Sequence, residues 1–139
     1  MTGKEYFISI RNKIDIVKHM ARRIDEMRAM STAIGGFDYS KPDVQTFPEK
    51  NITEDRVIEL ADLILEMEEM RAIREAAIRE AYERIETLSR NEYTRVLLLR
   101  YLGEIKHSYG WIADEMGYTE DWVKHLHAEA LSEFEERYL

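Results

Sequence analysis

The stretch from Asn51 to Ser89 constrains this chain more than any other, because it reads as one uninterrupted helix. Its apolar stripe runs through Val57, Leu60, Ile64 and Met67, passes Arg71 and Arg74, and resumes at Ile78, Ala81, Ile85 and Leu88. Steps of three and four residues keep those positions on one helical face. A helix of that span is ~55 Å long at 1.5 Å per residue, far longer than a compact domain is wide. Its stripe therefore needs a second long helix to cover it. Ile58, Leu65 and Ile73 lie off the stripe, so a second face is apolar and points to self-association. Asn51-Ile-Thr-Glu54 fits a capping box at the start, with Thr53 as an alternative cap.

The partner helix is expected over residues 4–34. Phe7, Ile10, Ile14, Val17, Ala21 and Ile24 repeat at heptad spacing and form a coiled-coil-like seam. Together the two long helices predict an antiparallel hairpin. Arg11, Lys18 and Arg22 share another face, which is either a phosphate-contacting stripe or a solvated surface mixed with Asp15, Asp25 and Glu26. His19 is expected to be exposed. Gly35-Gly36 stops the helix, and a linker follows over residues 35–50 with Pro42 and Pro48. Its apolar residues Phe37, Tyr39, Val44 and Phe47 fit packing against the helices better than ligand binding. Met27, Met30, Met67 and Met70 read as adaptable packing residues rather than metal ligands.

Composition narrows the class. Of 139 residues, six are Gly and two Pro, while helix formers abound, so the fold class is all-α. The absence of cysteine excludes disulfides and thiolate metal sites and fits a reducing cytoplasm. The start, MTGKEYFISIRNK, lacks the apolar run of a signal peptide, and no segment approaches ~18 consecutive apolar residues. A cytoplasmic protein with no membrane contact is expected. The net charge is −8, shared equally by residues 51–91 and 92–139 against a basic first segment, and residues 92–139 hold 5 basic and 10 acidic side chains.

After a capping box at Ser89-Arg-Asn-Glu92, a third helix is expected over Glu92–Leu102, apolar on most sides and therefore buried. Gly103 ends it. Trp111–Leu131, WIADEMGYTEDWVKHLHAEAL, then reads as two short helices joined by a tight turn. Ile112 and Met116 form one apolar face, and Ala113 lets a second helix cross closely. Gly117 falls where the backbone must turn left-handed. Thr119 suits an N-cap, with Glu120 and Asp121 in the first turn. Val123, Leu126, Ala130 and Phe134 carry the stripe of the second helix. These positions describe a helix-turn-helix, whose second helix commonly enters the major groove of DNA. The bland alternative is a plain helical hairpin.

The segment RVLLLRYLGEIKHSYGWIADEMGYTEDWVKHLHAEAL resembles region four of bacterial sigma factors. The resemblance rests on Arg95, Leu99, Arg100 and Tyr101, then Ile112, Ala113 and Gly117, then Val123, Leu126, Ala128, Ala130 and Leu131. With the DYSKPDVQT loop and the long acidic helix, the chain also resembles small phage- and prophage-encoded proteins with sigma-like C-termini. Their neighbours include the ArpU-type late transcription regulators. The resemblance implies a C-terminal module, residues 91–139, that docks on promoter DNA, following an oligomerisation region over residues 1–90. It implies DNA contacts at Tyr118, Thr119, Glu120, Asp121, Lys124 and His125, with Arg95 and Arg100 as phosphate contacts or ion-pair partners. The departure lies at the start of the second helix, where basic and polar residues are usual and Glu120 and Asp121 stand here. Trp122 fits a protein contact or burial against the third helix.

No enzyme motif is present. Glu68-Glu69 and Glu135-Glu136 are adjacent and diverge on their helices. His125 and His127 lack the i, i+4 spacing with which two histidines share a zinc ion. No cofactor or metal site is expected. Three functions remain open. One is a phage or prophage transcriptional regulator, a homodimer binding double-stranded promoter DNA together with RNA polymerase. Another is an acidic, DNA-mimicking module that binds a polymerase or nuclease and keeps the sigma-like fold without autonomous DNA binding. A small oligomeric DNA-packaging adaptor is a third.

Overall fold

The computed structural model describes residues 1–35 and 47–139, with side chains given outside residues 31–53. Helix α1 spans Gly3–Gly35, α2 Phe47–Ile85, α3 Asn91–Leu97, α4 Tyr109–Met116 and α5 Glu120–Tyr138. A π-type turn, Leu98–Leu102, continues α3. The described residues contain no strand, so the all-α class holds. Most of the expected linker, residues 36–46, and the capping side chains of Asn51 and Thr53 lie outside the described residues.

Several boundaries differ from expectation. Helix α2 begins at Phe47, which puts Pro48 in the first turn, where its missing N–H costs little. It ends at Ile85 rather than Ser89. The expected capping box at Ser89 does not form. Arg90 is the N-cap of α3, in extended backbone and without a side-chain cap bond. The Ser89 N–H instead donates to the Glu133 carboxylate at 3.0 Å. The third helix is not one regular α-helix to Leu102, because its last five residues widen into the π-type turn.

The chain packs as two compact units, Met1–Asp15 with Ile73–Leu139, and Ile16–Ala72. This division differs from a boundary near residue 90, since the first helix contributes its start to the core of the C-terminal residues. In the first unit, Phe7, Ile10 and Ile14 join Ala81, Ile85, Val96, Leu97, Ile112, Val123, Leu126 and Phe134 in one buried cluster. Phe7 touches the rings of Tyr101 and Phe134 at centroid distances of 5.3 and 4.8 Å. Gly3 permits this docking. A Cβ there would stand 3.0 Å from the Leu131 carbonyl oxygen of α5.

Arg11 does not belong to the expected Arg11/Lys18/Arg22 face on either reading of it. It is only 5% exposed. Its guanidinium donates to the carbonyls of Tyr101, Gly103 and Glu104, where the π-type turn ends, and to the Asp15 carboxylate at 2.8 Å. Helix ends leave carbonyls without intrahelical donors, and a buried guanidinium supplies several donors in one plane.

In the second unit, Val17, Ile24 and Met67 form a smaller cluster, with Met20, Ala21, Leu60, Leu63, Ile64 and Met70 packed around it. The stripe of α2 starts at Leu60, not Val57, which is 55% exposed. Ile58 and Leu65 are exposed as well, leaving the second apolar face of α2 uncovered.

Candidate functional site

The arrangement of α4, its turn and α5 follows from three local choices. Ser108 caps α4 by accepting the Trp111 N–H at 3.1 Å. Gly117 closes α4 with φ +74°, a left-handed backbone that a side chain would strain. Thr119 then caps α5, its hydroxyl accepting the Trp122 N–H at 3.2 Å. Ile112 and Ala113 of α4 meet Val123 and Leu126 of α5 in the core, so the outer surface of α5 is free.

Tyr118, Glu120, Asp121, Trp122, Lys124 and His125 all lie exposed around the first two turns of α5. Thr119 is exposed too, with its hydroxyl committed to the cap. The basic side chains are not idle. Lys124 pairs with Glu120 at 3.6 Å, and His125 Nε2 with Glu129 at 2.8 Å. Trp122 is 41% exposed, and its ring meets that of His125 at 5.2 Å, so it is not buried against α3. The surface is therefore mixed, aromatic and slightly acidic.

Arg95 and Arg100 are not brought together. Arg95 is exposed on α3, whereas Arg100 is half-buried. Arg100 donates to the His107 carbonyl at 2.8 Å and covers the Tyr109 ring at 4.1 Å. It braces the connection into α4 and is not free for a phosphate.

Two features escaped sequence reasoning. Arg90, placed just before α3, holds its guanidinium 5.6 Å from the Tyr93 ring centre. Tyr93 in turn donates its hydroxyl to Glu129 at 2.6 Å. That hydrogen bond draws the Glu129 carboxyl below its ordinary range and pushes the Tyr93 phenol up. The second is His127, buried on the inner side of α5. Its Nε2 meets the Tyr101 hydroxyl at 2.7 Å, and Nδ1 faces the Tyr109 hydroxyl at 3.5 Å. Burial, aided by the charges of Arg100 and Lys4, lowers its pKa to about 4, so the ring is neutral near pH 7. Its position between Val123 and Ala130 on the apolar face was the signal available in the sequence.

An open pocket of about 290 Å³ lies in the first unit, lined by Arg74, Glu75, Arg79 and Glu104 over Ile78 and Leu102. Its charges are mixed, which favours no one ligand sign. Among the described residues no group of three or more His, Asp or Glu side chains is placed to hold a metal ion. No described helix is long and apolar enough to cross a membrane. No family model, curated protein or solved structure matches the chain.

Proposed function

We propose that the chain is a transcriptional regulator of the phage or prophage kind, in which α4, the Gly117 turn and α5 form a sigma region-four-like helix-turn-helix. The observation that carries this reading is the start of α5. Thr119 caps it, and Tyr118, Glu120, Asp121, Trp122, Lys124 and His125 project around its first two turns, clear of the core. Helices of this kind read bases with their N-terminal residues. Glu120 and Asp121 accept hydrogen bonds from cytosine N4, while Lys124 and His125 donate. Because cationic phosphate contacts normally supply most non-specific affinity, the slightly acidic surface here makes binding weak, and RNA polymerase strengthens it as a co-ligand.

The long helices serve as the dimerisation arm in this reading. An antiparallel hairpin is supported within the first unit, where Tyr6 bonds Glu80 at 3.0 Å while Ile14, eight residues on, shares a pocket with Arg74 and Ile78. Two linked weak half-sites raise avidity without new contacts.

A gel shift of the region upstream of the protein's own gene against random duplex, across a salt series, tests the reading. Retardation of the upstream DNA is expected at ~100 mM salt, with roughly tenfold loss on Lys124→Glu. Unshifted DNA, or a Lys124→Glu variant that binds as well as the parent, sinks it.

The pairing of Lys124 with Glu120 and of His125 with Glu129 favours a second reading, an acidic module that docks on a basic surface of polymerase or a nuclease. It predicts saturable binding to purified RNA polymerase that Asp121→Lys weakens, with no DNA shift by the protein alone.

A further inference from the structure

Arg90 lies outside every residue that the helix-turn-helix pattern nominates, yet four contacts tie it to the outward face of α5. Its guanidinium covers Tyr93 at 5.6 Å; the Tyr93 hydroxyl donates to Glu129 at 2.6 Å. The other Glu129 oxygen takes His125 Nε2 at 2.8 Å, and the His125 ring packs on Trp122 at 5.2 Å. Both Glu129 oxygens are thus occupied, and Arg90 makes no ion pair among the described residues. Glu92 is the acid whose charge acts most on it. Of the nominated cations, Lys124 is paired with Glu120 and Arg100 is bound to the His107 carbonyl, while Arg95 is exposed on α3.

We propose that Arg90 is a phosphate-contacting residue of a double-stranded DNA interface, oriented by Tyr93 to flank α5. The inference rests on the promoter-binding reading. A planar guanidinium fits a phosphate with two parallel hydrogen bonds. Stacking on a ring fixed by Glu129 reduces the side-chain freedom lost on binding. Phosphate contacts beside a reading helix set its register on the duplex without reading sequence. Arg90 therefore adds affinity equally for all sequences.

The test uses the full chain and a labelled mixed-sequence duplex of about 30 base pairs, followed by fluorescence anisotropy from about 50 to 200 mM salt. Arg90→Ala is expected to weaken binding about fivefold and to lower the salt slope by about one. Arg90→Lys, which keeps the charge but not the fork, falls between it and the parent. Lys106→Ala, in the exposed connection before α4, leaves binding unchanged, and thermal melting checks that each variant folds. Parental affinity and slope in Arg90→Ala overturn this inference while leaving the promoter reading in place. Equal losses in Arg90→Ala and Lys106→Ala also overturn it, because the effect is then one of overall charge. Absence of binding by the parent chain to this duplex overturns the inference, and absence of binding to the upstream duplex as well overturns the promoter reading.

Discussion

The guanidinium of Arg11 sits where the π-type turn leaves three carbonyls in need of donors, and it reaches all of them from α1. Removing it takes this donor from the buried Tyr101 carbonyl and leaves the more open Gly103 and Glu104 carbonyls to water. Arg11→Met is expected to lower unfolding free energy by roughly 3 kcal/mol in urea titrations, with a loss under about 1 kcal/mol contradicting this role. His127 makes a pH-dependent contribution. Its folded-state pKa of about 4 lies below the ordinary 6.5, so the unfolded chain takes up the proton first as pH falls. The stability it confers is complete above pH 6.5 and declines as pH drops towards 4. His127→Gln, which does not titrate, is expected to flatten that decline in melts at pH 7.5, 5.5 and 4.5; an unchanged slope would assign it to other groups. Neither role was legible beforehand. Arg11 shares a face with Lys18 and Arg22 in sequence, and only the arrival of the Gly103 turn makes that position an interior one.

Helices and caps were easier to read, because their causes are local. Thr119 and Gly117 act where the sequence put them: the hydroxyl accepts the Trp122 N–H, and φ is +74°. A Cβ at Gly117 would meet nothing within 4 Å, so Gly117→Ala costs only backbone strain, roughly 1 kcal/mol in thermal melts. The ends of α2 were read less well. The capping box at Ser89 had the right residues, but the Ser89 N–H is taken by Glu133, a residue of α5 that no local pattern announces. Similarly, Val57 keeps the spacing of the α2 stripe yet is exposed, which spacing alone does not reveal. Together with Ile58 and Leu65 it leaves an apolar surface on α2. In the dimer proposed above, Leu65→Asp is expected to halve the mass seen by light scattering. A parent chain that is already monomeric would remove the basis for dimerisation through α2.

Across the whole molecule, the residues that complete the core around α4 and α5 come from both ends of the chain. Phe7 is fully buried against Tyr101 and Phe134, so residues 91–139 alone lack a wall of their own core. A peptide of residues 91–139 is expected to show no cooperative melt by circular dichroism. The apolar period revealed α1 and α2 as long helices, but period alone carries no information on which stretch of a helix joins which core. The candidate surface was legible for the same reason as the caps: exposure around the start of α5 follows from the spacing of Val123, Leu126 and Ala130. Arg90 was not, because its relation to α5 runs through Tyr93 and Glu129, 36 residues apart. The most direct measurement is an amide NMR titration of the full chain with duplex DNA from its own upstream region and with a scrambled duplex. Shifts confined to Tyr118–His125 and the residues around Arg90 are expected, larger for the upstream duplex. Shifts that are absent, or that cluster on α2 instead, would contradict the promoter reading.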